Sequence, residues 1–288
     1  MVEVCLRDWG IDKVFLIVID NASSNDTAID YLKRKMKSEN SLLFEGKYLH
    51  LRCACHIINL IVKDGLKELN VSIKAIRNAV VFIHSSLSRS NKFREFAILA
   101  KFSSTSTVPM DVKTRWNATY KILKVALKYR RVFERMTEEW LPFMNYFRQK
   151  DDKGKERIGP PNADDWEMAK AFVHFLKKLY DATLGLSASK SLTSQLLYET
   201  MIALQVDIDR KRHDDSYPIF KEVACAIKLK FDKYWGNWNN INPLIFIGNI
   251  MDLGNKLQMM KVIVRKLGGT PTSVKEFVDS AKQSLVTL

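Results

Sequence analysis

The sequence lacks long hydrophobic runs and contains few cysteines. Its longest unbroken apolar run, Val14–Ile19, is far shorter than the roughly 18 residues that a membrane-spanning helix needs. The 288 residues include only 4 cysteines, which are too few for a disulfide-stabilised extracellular scaffold of this size. We therefore expect a protein that does not enter a membrane and that folds in a reducing compartment.

Acidic residues are also scarce relative to basic ones. There are 46 Lys and Arg residues against 32 Asp and Glu residues, and the formal net charge is +14. Apolar residues make up 47% of the chain and charged residues 27%, a composition typical of a folded protein and not of a disordered tail. The positive charge favours a polyanionic partner, most commonly nucleic acid, but charge alone is equally compatible with an ordinary basic protein.

The first 55 residues have the pattern of a strand, a helix and a second strand. Residues 13–19 are apolar on both faces, as in a buried parallel strand, and a polar loop follows them. Asn25 or Asp26 then caps a helix over residues 27–37, and residues 48–53 form the second strand. This order predicts a small βαβ unit.

The rest of the chain has the apolar spacing of helices. Helices are predicted at residues 57–69, 71–87, 91–102, 117–139, 163–184, 192–212, 217–234 and 273–288. We therefore predict a mainly α fold with a small α/β part in residues 1–55 and a helical domain in residues 56–288. The charged segment 150–162, which contains glycine and proline, is a candidate hinge.

Asp20 is the first candidate for chemistry because it follows the carboxyl end of the predicted first strand, where ligands of parallel sheets gather. A carboxylate there can hold Mg²⁺, but a catalytic metal pair needs two or three converging carboxylates. The alternative is that Asp20 only ends the strand.

Two short motifs have both a functional and a structural interpretation. Cys53 and His56 could begin a zinc site, but no second Cys/His pair lies nearby, and they could equally be a core residue and a helix-start residue. Arg115 and Trp116 could hold a phosphate and stack on an unpaired base, or Trp116 could be a core residue with Arg115 packed over it.

The predicted helix 117–139 carries cations at spacings of 3, 4, 3 and 4 residues, which places them on one face. They are Lys121, Lys124, Lys128, Arg131 and Arg135. An apolar stripe lies one step around the helix, at Ile122, Ala126, Tyr129, Phe133 and Met136. The basic face is a candidate DNA-binding surface, and a solvated surface with no partner is the alternative.

Three segments in this order resemble the hAT family of DNA transposases, in particular the plant RNase H-like, BED-finger lineage and its domesticated relatives. They are FLIVIDNASSND at 15–26, LRCACHIINLIV at 51–62 and DVKTRWNATYKIL at 111–123. The segments 231–235 and 242–257 also resemble the family, so the resemblance spans about residues 5–260.

The resemblance implies roles for individual residues. Asp20 matches the second acid of the family's catalytic triad, and Cys53 and His56 match a motif beside the active site. Arg115 and Trp116 match the family's Arg-Trp pair, whose tryptophan is thought to stack on a flipped base. The family also implies DNA as partner, Mg²⁺ as the cofactor of the intact enzyme, and the nucleus as location.

The sequence also departs from the family. No residue matches the first catalytic Asp or the catalytic Glu, and Glu276 lacks the neighbours expected of the latter. The BED finger and the dimerisation segment are not matched, and residues 270–288 diverge. We therefore expect a chain truncated at both ends, a partial RNase H-like core of two strands and a helix, and a sheet with an uncovered edge and face.

These departures predict a DNA-binding protein or fragment that has no catalytic activity and needs no cofactor. One alternative is a helical scaffold that binds protein partners. Another is an incomplete gene model of a full transposase.

Overall fold

The computed structural model describes residues 2–65, 70–102, 108–110, 116–151, 153–187, 194–215, 218–237, 241–251, 261 and 271–287. The described fold is mainly helical with one two-stranded parallel sheet, as predicted. The first part contains α1 (Val2–Asp8), β1 (Ile17–Ile19), α2 (Ser23–Ser38), a 3₁₀ turn (Leu43–Gly46), β2 (His50–Arg52) and α3 (Ala54–Gly65).

Ten further helices follow in the described residues. They are α4 (Asn70–His84), α5 (Leu87–Leu99), α6 (Trp116–Lys128), α7 (Arg130–Glu139), α8 (Leu141–Arg148), α9 (Ala163–Leu186), α10 (Ser194–Arg212), α11 (Pro218–Trp235), α12 (Leu244–Ile250) and α13 (Pro271–Thr287). None of the described helices is both long and apolar enough to cross a membrane.

The predicted βαβ unit is confirmed, with strands shorter than expected. β1 and β2 are parallel, and Val18 is in register with Leu51. The predicted cap of α2 was wrong: the helix begins at Ser23, before Asn25. The reason is that the Asp20 carboxylate accepts hydrogen bonds from the Ala22 backbone N–H, at 3.0 Å, and from the Asn25 side chain, so the turn forms earlier.

By packing, the chain forms two compact units. The first contains Met1–Ile61 and Ala182–Leu288, and the second contains Val62–Asp181. The division at residue 55, the hinge at 150–162 and the divergent segment 270–288 stay predictions.

In the first unit, Leu32 and Met36 of α2 pack beside the strands, and α10 contacts both α11 and α12 to form a helical cluster. Val14, Leu32, Met36 and Leu49 form a small apolar core beside the strands. The outer face of β1 is not covered, since the Val18 side chain is 58% exposed. This matches the expected uncovered face of the sheet.

Asn242 joins the C-terminal part of the first unit to β2. Its side-chain amide donates to the carbonyl oxygens of Tyr48 at 3.1 Å and His50 at 2.9 Å. The hydrogen bonds to β1 use other residues, the Leu49 carbonyl oxygen and the Cys53 N–H. These groups point toward β1, whereas the Tyr48 and His50 carbonyl oxygens point away from it. Asn242 therefore covers the outer edge of β2.

The second unit has an aromatic core. Trp166 is fully buried, and its ring lies 5.7 Å from that of Phe133 on α7. Phe82 on α4 packs edge-on against Phe143 on α8, with ring centroids 5.1 Å apart. Large buried side chains thus hold α7 against α9 and α4 against α8.

The single helix predicted over residues 117–139 was wrong, because the chain breaks at Tyr129 into α6 and α7. Tyr129 is buried, and its ring packs against Phe93 at 5.4 Å and Phe102 at 4.8 Å. The Tyr129 N–H bonds to the Ala126 carbonyl oxygen at 2.9 Å, which tightens the last turn of α6. Tertiary packing of one aromatic ring thus overrides helix periodicity.

Candidate nucleic-acid interface

The helices α6 and α7 have one buried and one exposed face. All five residues of the predicted apolar stripe are buried: Ile122, Ala126, Tyr129, Phe133 and Met136. Four of the five predicted cations are exposed: Lys121, Lys124, Lys128 and Arg131. We call these four residues the basic stripe. The apolar stripe fixes the rotation of each helix, so it also determines that the basic stripe faces solvent.

The basic stripe carries charge that is not neutralised by carboxylates. Within the described ranges, no residue of the stripe forms an ion pair. Lys124 makes a cation–π contact, with its Nζ 5.8 Å from the centroid of the Tyr120 ring. Arg135 differs, because it is half-buried and its Nε donates to Glu139 at 2.7 Å. Arg135 is therefore a weaker candidate for binding an anion than the other four.

A neighbouring arginine shows what a neutralised cation looks like on the same helix. Arg130 donates from Nε to Glu134 and from Nη1 to Glu167, each at 2.7 Å. These hydrogen bonds, that to Glu134 first, raise the pKa of Arg130. Arg131, the next residue, forms no such ion pair within the described residues, so its charge is not neutralised in this way.

Trp116 occupies the position of a core residue. It is 5% exposed, and its ring packs edge-on against Tyr180 at 6.3 Å. Tyr180 also stacks on Tyr120 at 4.3 Å. Stacking on a base requires an exposed ring face, which Trp116 does not offer in this conformation. Arg115 lies outside the described residues, so the paired role of Arg115 and Trp116 stays a prediction.

Asp20 lies just beyond the carboxyl end of β1 and is exposed. Its carboxylate serves the local turn, as described above. Across the part of the chain that the structure describes, no group of three or more His, Cys, Asp or Glu side chains could hold a metal ion. The described residues around Asp20 therefore do not supply the ligands that a Mg²⁺ ion requires.

Cys53 and His56 lie where β2 passes into α3, and both are half-buried. The Cys53 N–H donates to the Ile19 carbonyl oxygen at 2.8 Å and so extends the sheet by one residue. The four cysteines are all free thiols. Cys55, between the two motif residues, approaches Ser187 Oγ at 3.2 Å, and burial raises the pKa of its thiol. This arrangement gives Cys53 a structural position, while its functional role stays a prediction.

The structure reveals a second group of cations that the sequence did not. They line one cavity of the second unit, with a volume of about 950 Å³. Lys74, Arg77, Arg89, Lys153, Lys155 and Arg157 contribute to its wall. These residues come from α4, α5 and the segment before α9, so no spacing rule within one helix could have grouped them.

The described fold is a βαβ unit together with a large helical region. Three family models match the chain. The ZBED1 RNase-like domain matches residues 1–48, and the ZBED1 RNase-like helical domain matches residues 51–175. The hAT-like transposase model with the RNase-H fold matches residues 195–288, which include the segment expected to diverge.

Similar proteins from plants agree with these matches. "Zinc finger BED domain-containing protein RICESLEEPER 2" of Oryza sativa subsp. japonica is 31% identical over 288 residues, which is 99% of this chain and 37% of that protein. RICESLEEPER 1 of the same organism is 30% identical over 287 residues, with the same coverage of both chains. A Zea mays protein named as an AC transposase is 31% identical over 229 residues, 79% of this chain and 27% of its own.

The chain therefore belongs to the hAT-type, transposase-derived proteins that include the BED-finger RICESLEEPER group. It spans 37% of the length of RICESLEEPER 2 and RICESLEEPER 1. No solved structure matches the chain.

Proposed function

We propose that this transposase-derived chain binds double-stranded DNA through the basic stripe of α6 and α7 and acts in the nucleus. The observation that carries the proposal is the set of four exposed cations without ion-pair partners in the described residues. The relatives named as BED zinc-finger proteins and as a transposase support DNA as the polyanion.

The dimensions of the stripe fit a phosphate backbone. From Lys121 to Lys128 the helix rises about 10 Å, because each residue adds roughly 1.5 Å. The spacing of about 3.4 Å per phosphate of B-DNA is measured along the duplex axis, and neighbouring phosphates of one strand lie further apart because the strand winds around that axis. The stripe can therefore lie against a short stretch of the phosphate backbone. Such contacts read charge and not sequence, so the stripe provides affinity more than specificity.

A charge-reversal variant tests the proposal. In Lys124→Glu/Lys128→Glu/Arg131→Glu, we expect duplex affinity to fall and the slope of log affinity against log salt to shrink by about 2.7, since each lost contact accounts for roughly 0.9. The matched control is Lys33→Glu/Lys170→Glu/Lys282→Glu, which makes the same change in net charge at three exposed lysines elsewhere. Unchanged affinity and slope in the stripe variant, or an equal loss in the control, would contradict the proposal.

We further infer that this chain by itself does not cleave or transfer DNA strands. Two-metal catalysis needs several converging carboxylates, and Asp20 is the only residue that matches the family's catalytic acids. The test is incubation of supercoiled plasmid with the pure chain and Mg²⁺ or Mn²⁺, with Asp20→Ala as control. Nicking that depends on the metal and disappears in Asp20→Ala would show that the inference is wrong.

A protein-binding scaffold is the second candidate function. Leu87, at the start of α5, is 74% exposed and lines a shallow cavity with Trp140. Contiguous apolar surface marks protein-binding sites, and Leu87 with Trp140 would form the apolar contact of such a site. The same DNA titration separates the two candidates, because a scaffold would show no salt-dependent DNA affinity.

A further inference from the structure

The cavity of the second unit combines positive charge with apolar surface. Six cations and two carboxylates, Asp151 and Glu156, lie in its wall. Five of the cations have no ion pair with any carboxylate among the described residues: Lys74, Arg89, Lys153, Lys155 and Arg157. The apolar side chains Val81 and Met110, both exposed, lie in the same wall. The cavity thus offers both anion contacts and a surface for a flat apolar group.

The two lysines at the rim are held by a structured turn. The Asp151 carboxylate accepts hydrogen bonds from the backbone N–H of Lys155 at 2.8 Å and of Lys153 at 2.9 Å. The bond from Lys155, the larger influence, lowers the pKa of Asp151 and keeps this group ionised. Asp151 accepts these bonds from backbone N–H groups, and the side chains of Lys153 and Lys155 are exposed.

The three arginines of the wall, Arg77, Arg89 and Arg157, are half-buried. The Arg157 guanidinium lies 4.2 Å from the Tyr146 ring centroid, and its Nη1 donates to the Tyr146 carbonyl oxygen at 3.3 Å. Asn78 fixes the same segment to α4 by donating to the Ile158 carbonyl oxygen at 2.8 Å. A guanidinium plane positioned in this way can stack on a base as well as bind a phosphate.

The size of the cavity favours one form of nucleic acid. Its volume of about 950 Å³ is that of a pocket for a small ligand. It can enclose a few nucleotides of a flexible strand, whereas the rigid surface of a duplex cannot enter a concave site of this size. Cations from three segments around an apolar wall also suit a chain that alternates phosphates with flat bases, and they suit a single phosphate group less well.

We propose that this cavity is a binding site for single-stranded nucleic acid, separate from the basic stripe. The site recognises the phosphodiester backbone through Lys74, Lys153 and Lys155 and accepts bases against the arginine planes and the apolar wall. It goes beyond the proposed duplex binding, because it uses other residues and another form of the ligand.

The test is a comparison of two ligands and three variants of the full chain. The ligands are a fluorescent thymidine oligonucleotide of about 15 nucleotides, within the usual range of single-strand sites, and a duplex of equal length. The variants are Lys153→Glu/Lys155→Glu in the cavity, Lys124→Glu/Lys128→Glu in the stripe, and Lys170→Glu/Lys282→Glu as the control of equal charge. Anisotropy is measured over a range of salt concentrations, and circular dichroism checks that each variant is folded.

We expect the cavity variant to weaken oligonucleotide binding about tenfold and to reduce its salt slope by about 1.4, since each contact to a single strand contributes roughly 0.7. Its duplex affinity should change less than about twofold, and the stripe variant should show the reverse pattern. The control should leave both ligands nearly unaffected. If the cavity variant fails to fold, Lys153→Gln/Lys155→Gln replaces it.

Four results would overturn the proposal, three of them from the binding comparison. These are an unaltered chain that does not bind the oligonucleotide, oligonucleotide binding that is insensitive to the cavity variant, and equal losses for both ligands in both variants. Competition by tripolyphosphate as strong as that by the oligonucleotide would also overturn it, because the site would then bind phosphate alone. If the chain does not bind the duplex but the cavity variant still weakens oligonucleotide binding, the proposed duplex binding is wrong and the proposed single-strand site is supported.

Discussion

Asn242 offers the sharpest test of how the first unit is stabilised. The side chain makes two donated hydrogen bonds to carbonyl oxygens of the β2 edge, and its Oδ1 accepts from the Leu244 N–H at 3.0 Å at the start of α12. In Asn242→Ala all of these are lost. Each donated bond contributes about 1 kcal/mol net, and loss of an acceptor at a helix start costs about 1 kcal/mol. The expected destabilisation is therefore about 3 kcal/mol.

Asn242→Asp separates the donor role from the acceptor role. Aspartate keeps an oxygen for the Leu244 N–H but places a second oxygen where the amide donates to Tyr48 and His50. We therefore expect Asn242→Asp to be at least as destabilising as Asn242→Ala, despite its nearly identical shape. Asn145→Ala, an exposed position on α8, is the control for removal of an amide without loss of the β2 edge.

Native-state hydrogen exchange is the appropriate assay, because a chain with two units need not unfold in one step. The informative peptides contain β2, where the Cys53 N–H donates to the Ile19 carbonyl oxygen. A loss of about 3 kcal/mol corresponds to exchange faster by roughly two orders of magnitude. Peptides from α4 in the second unit should be unchanged. Wild-type protection of β2 in Asn242→Asp would refute the reasoning, because the donated bonds would then contribute nothing.

Three further predictions concern buried groups. Trp166→Ala should destabilise the second unit by about 3–5 kcal/mol, because a fully buried ring is lost. The measurement is faster amide hydrogen exchange in α7. A loss of less than about 1 kcal/mol would contradict the burial of this ring. Burial, with a smaller contribution from Arg52, lowers the pKa of His50. As pH falls below about 6.5, the histidine of the unfolded state takes up a proton before that of the folded state, so the free energy of unfolding should fall. His50→Gln should flatten this decline, measured as the urea midpoint against pH, and an equal decline in the variant would exclude His50 as its source. Burial raises the pKa of Tyr198. The free energy of unfolding should therefore fall as pH rises above about 10, where the tyrosine of the unfolded state ionises. Tyr198→Phe should reduce the slope of the free energy of unfolding against pH by up to about 1.4 kcal/mol per pH unit, and an unchanged slope would contradict this assignment.

Features set by short-range pattern were predictable from the sequence. The βαβ order follows from a short apolar run, a polar loop and a helical pattern in sequence, and the buried stripe of α6 and α7 follows from the 3.6-residue period of a helix. The break at Tyr129 was not predictable, because it depends on Phe93 and Phe102, which belong to other segments of the chain. The early start of α2 depends on the rotamer of Asp20, which a list of good capping residues does not specify.

The candidate sites divide in the same way. The basic stripe lies on consecutive turns, so its spacing could be counted in the sequence. Trp116 showed the limit of that approach, because a motif gives the residue type but not its burial, and the ring packs on the distant Tyr180. The cavity cations Lys74 and Lys155 are brought together only by tertiary structure, through contacts such as Asn78 with Ile158.

The arrangement of the first unit has a consequence for the timing of folding during synthesis. The second unit is continuous, from Val62 to Asp181, and can fold as soon as it leaves the ribosome. The β2 edge must wait for Asn242, which is made 190 or more residues later than Tyr48 and His50. At about 5–20 residues per second, that interval is roughly 10 to 40 seconds. The nascent sheet is therefore exposed to chaperones and to other chains for longer than the helices of the second unit, which is complete at Asp181.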